Sequence, residues 1–377
     1  MKTMTVTSAV SVLVALGGMA AGAPAAAAAP APAPALAPWC SDSSGYRLND
    51  VAPAAASVSD VTDLNVGGMA VGTSDVGAFT SLWGARGSRL TPVSVAGTPA
   101  TVMGPRISSL GSVVATATST DSAGIQSGAV IRWAWAGATP KTTSVTWSGP
   151  VSGRGRTVNV LGVTWSGVAL LEERTSGTIS GLSLLTTKDV RSPIHTGSSM
   201  SSAFDISEDG MVVGAGALGD SSVPATHTRS GAWTWRAGQP TYLPKLDPAA
   251  GGYDESAMGV SMWGSVVSGR SSSLPVWWDR DRVAHDMNGA PAAFMPAHIN
   301  DCRVALGTTY VPGSGMEIGV WRSGAYVTLD SLVSNMPQGW RVCAVAALTE
   351  MGQVGASICP TDRADTRRRA VVLTQTL

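Results

Sequence analysis

Apolar and polar positions recur along the chain in one nine-place frame. It runs apolar, Ser/Asn/Thr, two turn residues, glycine, any residue, small apolar, apolar, small. Ile206-Ser207-Glu208-Asp209-Gly210-Met211-Val212-Val213-Gly214 shows it most plainly. Apolar ends around a polar centre read as the end of one strand, a tight turn and the start of a second strand. Copies begin at Leu64, Ile107, Val163, Ile206, Val260, Ile299 and Leu348, 39 to 56 residues apart, which is about one supersecondary unit each. Glycine holds the fifth place at Gly68, Gly111, Gly167, Gly210, Gly264 and Gly352. A tight hairpin turn with a bulge needs a residue at positive φ there. The copy at Ile299 has Arg303 instead, so a different turn is expected for it.

A second alternating run follows each frame, at residues 78–83, 129–135, 231–235, 276–278 and 319–321, usually carrying tryptophan. The third unit has Leu184 and Leu185 in that place. Each unit thus supplies four short strands: A and B around the frame, C with the aromatic residue, D after a turn. Such a sheet exposes apolar surface on both faces. Radial stacking buries both faces, and closing the ring protects the ends. The expected fold is all-β, a seven-bladed β-propeller of four-stranded blades, with most of the 13 tryptophans packed between blades. The seventh unit runs out of chain after its strand C near residues 370–374, while residues 46–51 look like a strand D without its own A, B and C. The N-terminal strand is therefore expected to complete the last blade.

Gly77-Ala78-Phe79, Gly128-Ala129-Val130, Gly231-Ala232-Trp233 and Arg369-Ala370-Val371, each beside an Asn/Ser-x-x-Gly-x-Val-Val-Gly-like frame, carry a family likeness. The chain resembles the HAF-repeat family of extracellular bacterial proteins over residues 46–377, although the first position of the tripeptide is never His. The resemblance implies a propeller-like extracellular protein and supplies no catalytic residue to transfer.

The start of the chain reads as an export leader. Met1-Lys2-Thr3 is positive, residues 9–16 form an apolar run too short to span a bilayer, and Ala-x-Ala sites follow near residues 21–29. Residues 1–29 are assigned to a secretory signal peptide and 39–377 to the propeller. Between them, Pro30, Pro32, Pro34 and Pro38 alternate with small residues, so 30–38 reads as an extended linker. Lys plus Arg and Asp plus Glu number 25 each. Zero net charge gives no electrostatic reason to bind nucleic acid or an anionic membrane. No later apolar run is long enough to anchor the chain, and a secreted monomer is expected.

Cys40, Cys302, Cys343 and Cys359 make an even count, which favours disulfides in an exported chain. The last hairpin brings Cys343 and Cys359 opposite each other. Cys302 lies in the A–B turn of unit six, and Cys40 precedes the N-terminal strand, which begins on the same face. Cys343–Cys359 and Cys40–Cys302 are the expected bridges, the second clamping the ring.

Alternating strand directions put the A–B and C–D turns on one face and the B–C and D–A connections on the other. The long connections, 146–156, 217–230, 247–257 and 360–369, are of the second kind. A ligand site is expected on that long-loop face or at the mouth of the central channel. Charged candidates there are Arg154, Arg156, Glu172, Glu173, Asp220, Asp254 and Glu255. No catalytic residue, metal ligand or cofactor is assigned. The chain has no Gly-x-Ser-x-Gly elbow, no HExxH and no phosphate-binding loop with lysine. His195, His227, His285 and His298 are scattered. Asp279-Arg280-Asp281, with Asp286 and Asn288, lacks the glycine and terminal glutamate of a calcium loop. Three functions remain: a non-catalytic binding module for an extracellular protein or glycan, a hydrolase or lyase whose residues converge from several blades, and a structural cell-surface component. Carboxylates or histidines clustered at the channel mouth would favour the enzyme. An apolar-aromatic patch on the long-loop face would favour the binder.

Overall fold

The computed structural model describes residues 45–82, 85–135, 137–150, 155–194, 201–217, 230–247, 255–313, 315–362 and 364–376. The leader, the linker, Cys40, Arg154, His195, Asp220, His227 and Asp254 lie outside the described residues.

Seven four-stranded antiparallel sheets form the blades of a β-propeller. In blade four, Ser202–Ile206 is the inner strand A, Val212–Ala217 is B, Ser230–Arg236 is C and Gln239–Tyr242 is D. The other inner strands are Ser59–Leu64, Thr101–Ile107, Arg156–Val163, Ser256–Val260, Phe294–Ile299 and Trp340–Leu348. In the last blade the outer strand is N-terminal: Gly45–Asp50 pairs with Arg369–Thr376, Tyr46 facing Gln375. The ring is closed by a strand from the start of the chain, as the exhausted seventh unit implied. Its outer edge is covered as well, since the Asn335 side chain accepts from the Leu48 amide at 2.7 Å and donates to the Leu48 carbonyl at 3.0 Å. Exposed sheet edges invite further pairing, and this contact blocks one.

The core is seven apolar clusters, one between each pair of neighbouring blades. Trp133, Trp233 and Trp278 of strand C are fully buried in them, with Phe79 and Leu185 on strand C of blades one and three and Phe294 on strand A of blade six. Strand B comes close to strand A where glycine ends the frame. A Cβ on Gly214 would lie 2.2 Å from the Ser202 carbonyl oxygen and 2.3 Å from Cζ2 of Trp233.

The frame is the A–B turn in every blade. Its second residue, Asn65, Ser108, Thr164, Ser207, Ser261, Asn300 or Thr349, is buried. Each side-chain oxygen accepts the amide at the far side of the turn: Met69 at 2.9 Å, Ser112 at 3.0 Å, Val168 at 3.1 Å, Met211 at 2.9 Å, Val266 at 3.1 Å, Val304 at 3.0 Å and Gln353 at 3.1 Å. A short acceptor is needed there because a buried amide cannot go unpaired. Arg303 corrects one expectation. It takes φ +57 where the glycines take +67 to +85, and its amide donates to the Asn300 carbonyl at 2.9 Å, so the sixth turn is the same turn. Its guanidinium lies 4.9 Å from the Trp277 ring centroid in the neighbouring blade, a contact that offsets the cost of a side chain at positive φ.

Two further expectations change. The connection placed at 146–156 is shortened, because strand D of blade two runs over Lys141–Pro150 and buries Val145 and Trp147. The Cys343–Cys359 bridge is not formed. Cys343 sits in a bulge between Val342 and Ala344 while Cys359 faces Arg341, and both are free thiols. The Cys343 thiol donates to the Ser357 carbonyl at 3.6 Å. Burial, with the neighbouring Cys359, pushes its pKa up to about 12. Cys302 is buried and disulfide-bonded.

Candidate functional site

Every inner strand has a register shift just ahead of its frame. The shifts fall between Val61 and Asp63, Met103 and Arg106, Val160 and Gly162, Ala203 and Asp205, Ala257 and Gly259, Pro296 and His298, and Val345 and Ala347. A bulge breaks the alternation of a strand and re-aims the next side chain. In six of the seven blades the residue directly before the frame is in this way brought to the axis. Asp63, Arg106, Gly162, Asp205, His298 and Ala347 line a central cavity of about 410 Å³.

Four of these six are polar. Asp63 accepts the Leu64 amide at 2.8 Å and, in blade two, the Ile107 amide at 2.9 Å. Asp205 repeats the arrangement between blades four and five, accepting Ile206 at 2.8 Å and Val260 at 3.1 Å. Arg106 donates from Nη1 to the Thr62 carbonyl at 2.5 Å and from Nε to the Val160 carbonyl at 3.5 Å, joining blades one, two and three. Burial raises the Asp63 pKa against the pull of Arg106, and raises that of Asp205 to about 7 although two amides pull the other way. Burial, with Arg106 nearby, lowers His298 to about 4, so its ring is neutral at physiological pH.

The third frame residues make a second tier on the short-turn face. Glu350 of blade seven accepts the Met262 amide of blade five at 2.7 Å and the Asp301 amide of blade six at 2.6 Å. Glu208 of blade four accepts from the Ser109 hydroxyl of blade two, and its own amide donates to the Met262 carbonyl at 2.8 Å. Burial raises both carboxyls to about 7. On the same face the turns expose large apolar side chains: Leu110 at 73%, Trp165 at 51%, Trp263 at 55% and Met351 at 56%. Exposed apolar side chains therefore occur on the short-turn face as well as on the long-loop face, where Tyr310 and Met316 flank the B–C turn of blade six.

The charged residues singled out from sequence are placed elsewhere. Glu172 and Glu173 are buried in strand B of blade three, Ala169–Thr175. Arg174 pairs with Glu172 at 2.6 Å, Arg156 with Glu173 at 2.5 Å, and Arg191 closes on Glu173 as well. Glu255 is buried and paired with Lys245 at 2.8 Å. Asp279 is a turn residue, its Oδ1 accepting the Asp281 and Val283 amides and its Oδ2 meeting His285 Nε2 at 2.8 Å. Of the scattered histidines, only His298 reaches the cavity among the described residues. The channel set Asp63, Arg106, Asp205, Glu208 and Glu350 was not singled out from sequence. One signal pointed to three of them: Asp63, Arg106 and Asp205 are charged residues directly ahead of the frame.

No family model and no curated protein matches the chain. Solved structures do. The β-propeller domain of the Trilobed protease from Pyrococcus furiosus aligns at 10% identity over 88% of this chain and 95% of that one, TM-score 0.48. The extracellular domain of a one-component system from B. thetaiotaomicron aligns at 10% identity over 88% of this chain and 40% of that one, TM-score 0.51. A prolyl endopeptidase structure aligns at 11% identity over 73% of this chain and 41% of that one, TM-score 0.47. This chain thus spans less than half the length of the last two. At such identities the likeness is one of fold alone.

Proposed function

We propose that the chain is an exported, non-catalytic binding module whose partner engages the short-turn face and the channel behind it. One observation carries the reading. Asp63, Asp205 and Glu350 each give both carboxylate oxygens to main-chain amides, four of the six in another blade. Groups held in this way lock blade to blade and are poorly placed to exchange protons with a substrate. Around them, Leu110, Trp165, Trp263 and Met351 offer exposed apolar surface of the kind that marks a contact site. The clustered carboxylates and His298 also support the second reading, an extracellular hydrolase or lyase.

The test uses the mature chain, beginning near residue 30, on a glycan array and in pull-downs from extracellular material. Trp165→Ala with Trp263→Ala is expected to abolish the capture that the unchanged protein shows, and Arg156→Ala to leave it intact. Capture that survives the double change moves the site off this face. Turnover of any ester, glycoside or peptide in a substrate panel, lost in His298→Ala, establishes the enzyme instead. Export is checked by sequencing the N-terminus of protein recovered from the medium.

A further inference from the structure

We infer that the channel cavity holds one small, uncharged, polyhydroxylated molecule of about monosaccharide size, stacked on Phe204 and hydrogen-bonded by His298 and Arg106. This rests on the binding-module reading and names its ligand.

Size is the first argument. About 410 Å³ falls within the range of small-molecule sites. The second is unused hydrogen-bonding capacity. His298 lines the cavity, and among the described residues its ring meets no hydrogen-bond partner. A neutral imidazole offers one N–H donor and one acceptor nitrogen. Arg106 uses Nε and one hydrogen of Nη1, and its Nη2 hydrogens find no acceptor among the described residues. The oxygens of Asp63 and Asp205 each accept one amide and retain a lone pair for a hydroxyl. Such donors and acceptors around one cavity match a hydroxyl, which both donates and accepts.

The third argument is the aromatic ring. Phe204 is the bulge residue of strand A in blade four, lines the cavity and keeps 43% of its surface open. An open aromatic face beside polar groups suits a sugar ring, whose C–H face is apolar and whose rim is polar. Charge disfavours a carboxylate ligand, which would meet Asp63, Asp205, Glu208 and Glu350 against Arg106 alone, while an ammonium would find each of these acids already engaged by an amide or a hydroxyl. The described residues gather no group of three or more His, Cys, Asp or Glu able to hold a metal ion.

The experiment is calorimetric titration of the mature protein with D-glucose, D-galactose, D-mannose, N-acetylglucosamine and myo-inositol, with D-glucuronate and D-glucosamine as charged comparators. At least one neutral compound is expected to bind with one-to-one stoichiometry and more tightly than its charged counterpart. Phe204→Ala and His298→Ala are each expected to weaken it by about tenfold or more. Should Phe204→Ala unfold, Phe204→Leu keeps apolar volume without the ring and carries the same expectation. Binding of none of the neutral compounds, tighter binding of a charged comparator, or unchanged affinity in both variants overturns the inference. Capture lost in the Trp165 and Trp263 variant while no sugar binds removes only this ligand class. Absence of both removes the binding-module reading too.

Discussion

The Asp205 carboxylate of blade four accepts the Val260 amide of blade five at 3.1 Å, so an acid facing the channel also joins two blades. Burial holds Asp205, Glu208 and Glu350 at about 7, above the 3.8 and 4.5 of free carboxyls. Groups with raised pKa stabilise the fold at low pH, and that contribution is lost as pH rises through 7. His298 acts oppositely. Its pKa falls from 6.5 to about 4, so its contribution is full above 6.5 and lost as pH falls toward 4. Between pH 6.5 and 8 the three acids act without it. Thermal melts are expected to fall across that interval, and Asp205→Asn to flatten the slope. A melting temperature that rises from pH 6.5 to 8 would refute this.

The turn residue Ser207 accepts the Met211 amide at 2.9 Å, and the equivalent residue does the same in all seven blades. Ser207→Ala is expected to cost about 1 kcal/mol in urea denaturation. Asn300→Ala is expected to cost more, because Asn300 also donates to the Thr349 carbonyl of the last blade at 3.3 Å. Equal losses would show that this bond between blades adds nothing beyond the Ser207 hydroxyl's own bond to Asp209 at 2.5 Å.

These turns were legible because their hydrogen bonds close within four or five residues, so composition at each place reports its partner directly. The channel was not legible in the same way. Whether a residue ahead of the frame faces the axis depends on a bulge, and a bulge inverts the alternation from which strand faces are read. Glu350 and Met262 are 88 residues apart and meet only because the ring closes. Arg303 misled for a related reason: local reading sees a missing glycine, whereas the compensating contact is Trp277 of another blade.

Gly214 tests how closely strands A and B approach. Gly214→Val must displace either the Ser202 carbonyl or the buried Trp233 ring. A loss of about 3 kcal/mol or more is expected. Gly181 is the control: it lies in strand C of blade three, Thr178–Leu185, and a Cβ there meets nothing within 4 Å. Gly181→Ala is expected to change stability by less than about 0.5 kcal/mol. Comparable losses at both sites would mean that glycine serves flexibility rather than close approach.

The cysteines separate ring closure from local strand pairing. Cys302 is disulfide-bonded, while Cys343 and Cys359 are thiols in adjacent strands. Peptide mapping without reductant is expected to yield one bridge, Cys302 with Cys40, and two thiols that alkylate after denaturation. In the folded protein Cys343 is expected to resist alkylation at pH 7.5, since a thiol with its pKa near 12 is almost wholly protonated there. A bridge closing a long loop stabilises by about 3 kcal/mol or more. Cys302→Ser should therefore lower stability by that amount, and Cys343→Ser by less than about 1 kcal/mol because only one weak thiol bond is lost. A Cys302–Cys343 peptide would refute the clamp, because it would tie blade six to blade seven and leave the N-terminal strand held only by hydrogen bonds, to Arg369–Thr376 on one side and to Ser334 and Asn335 on the other.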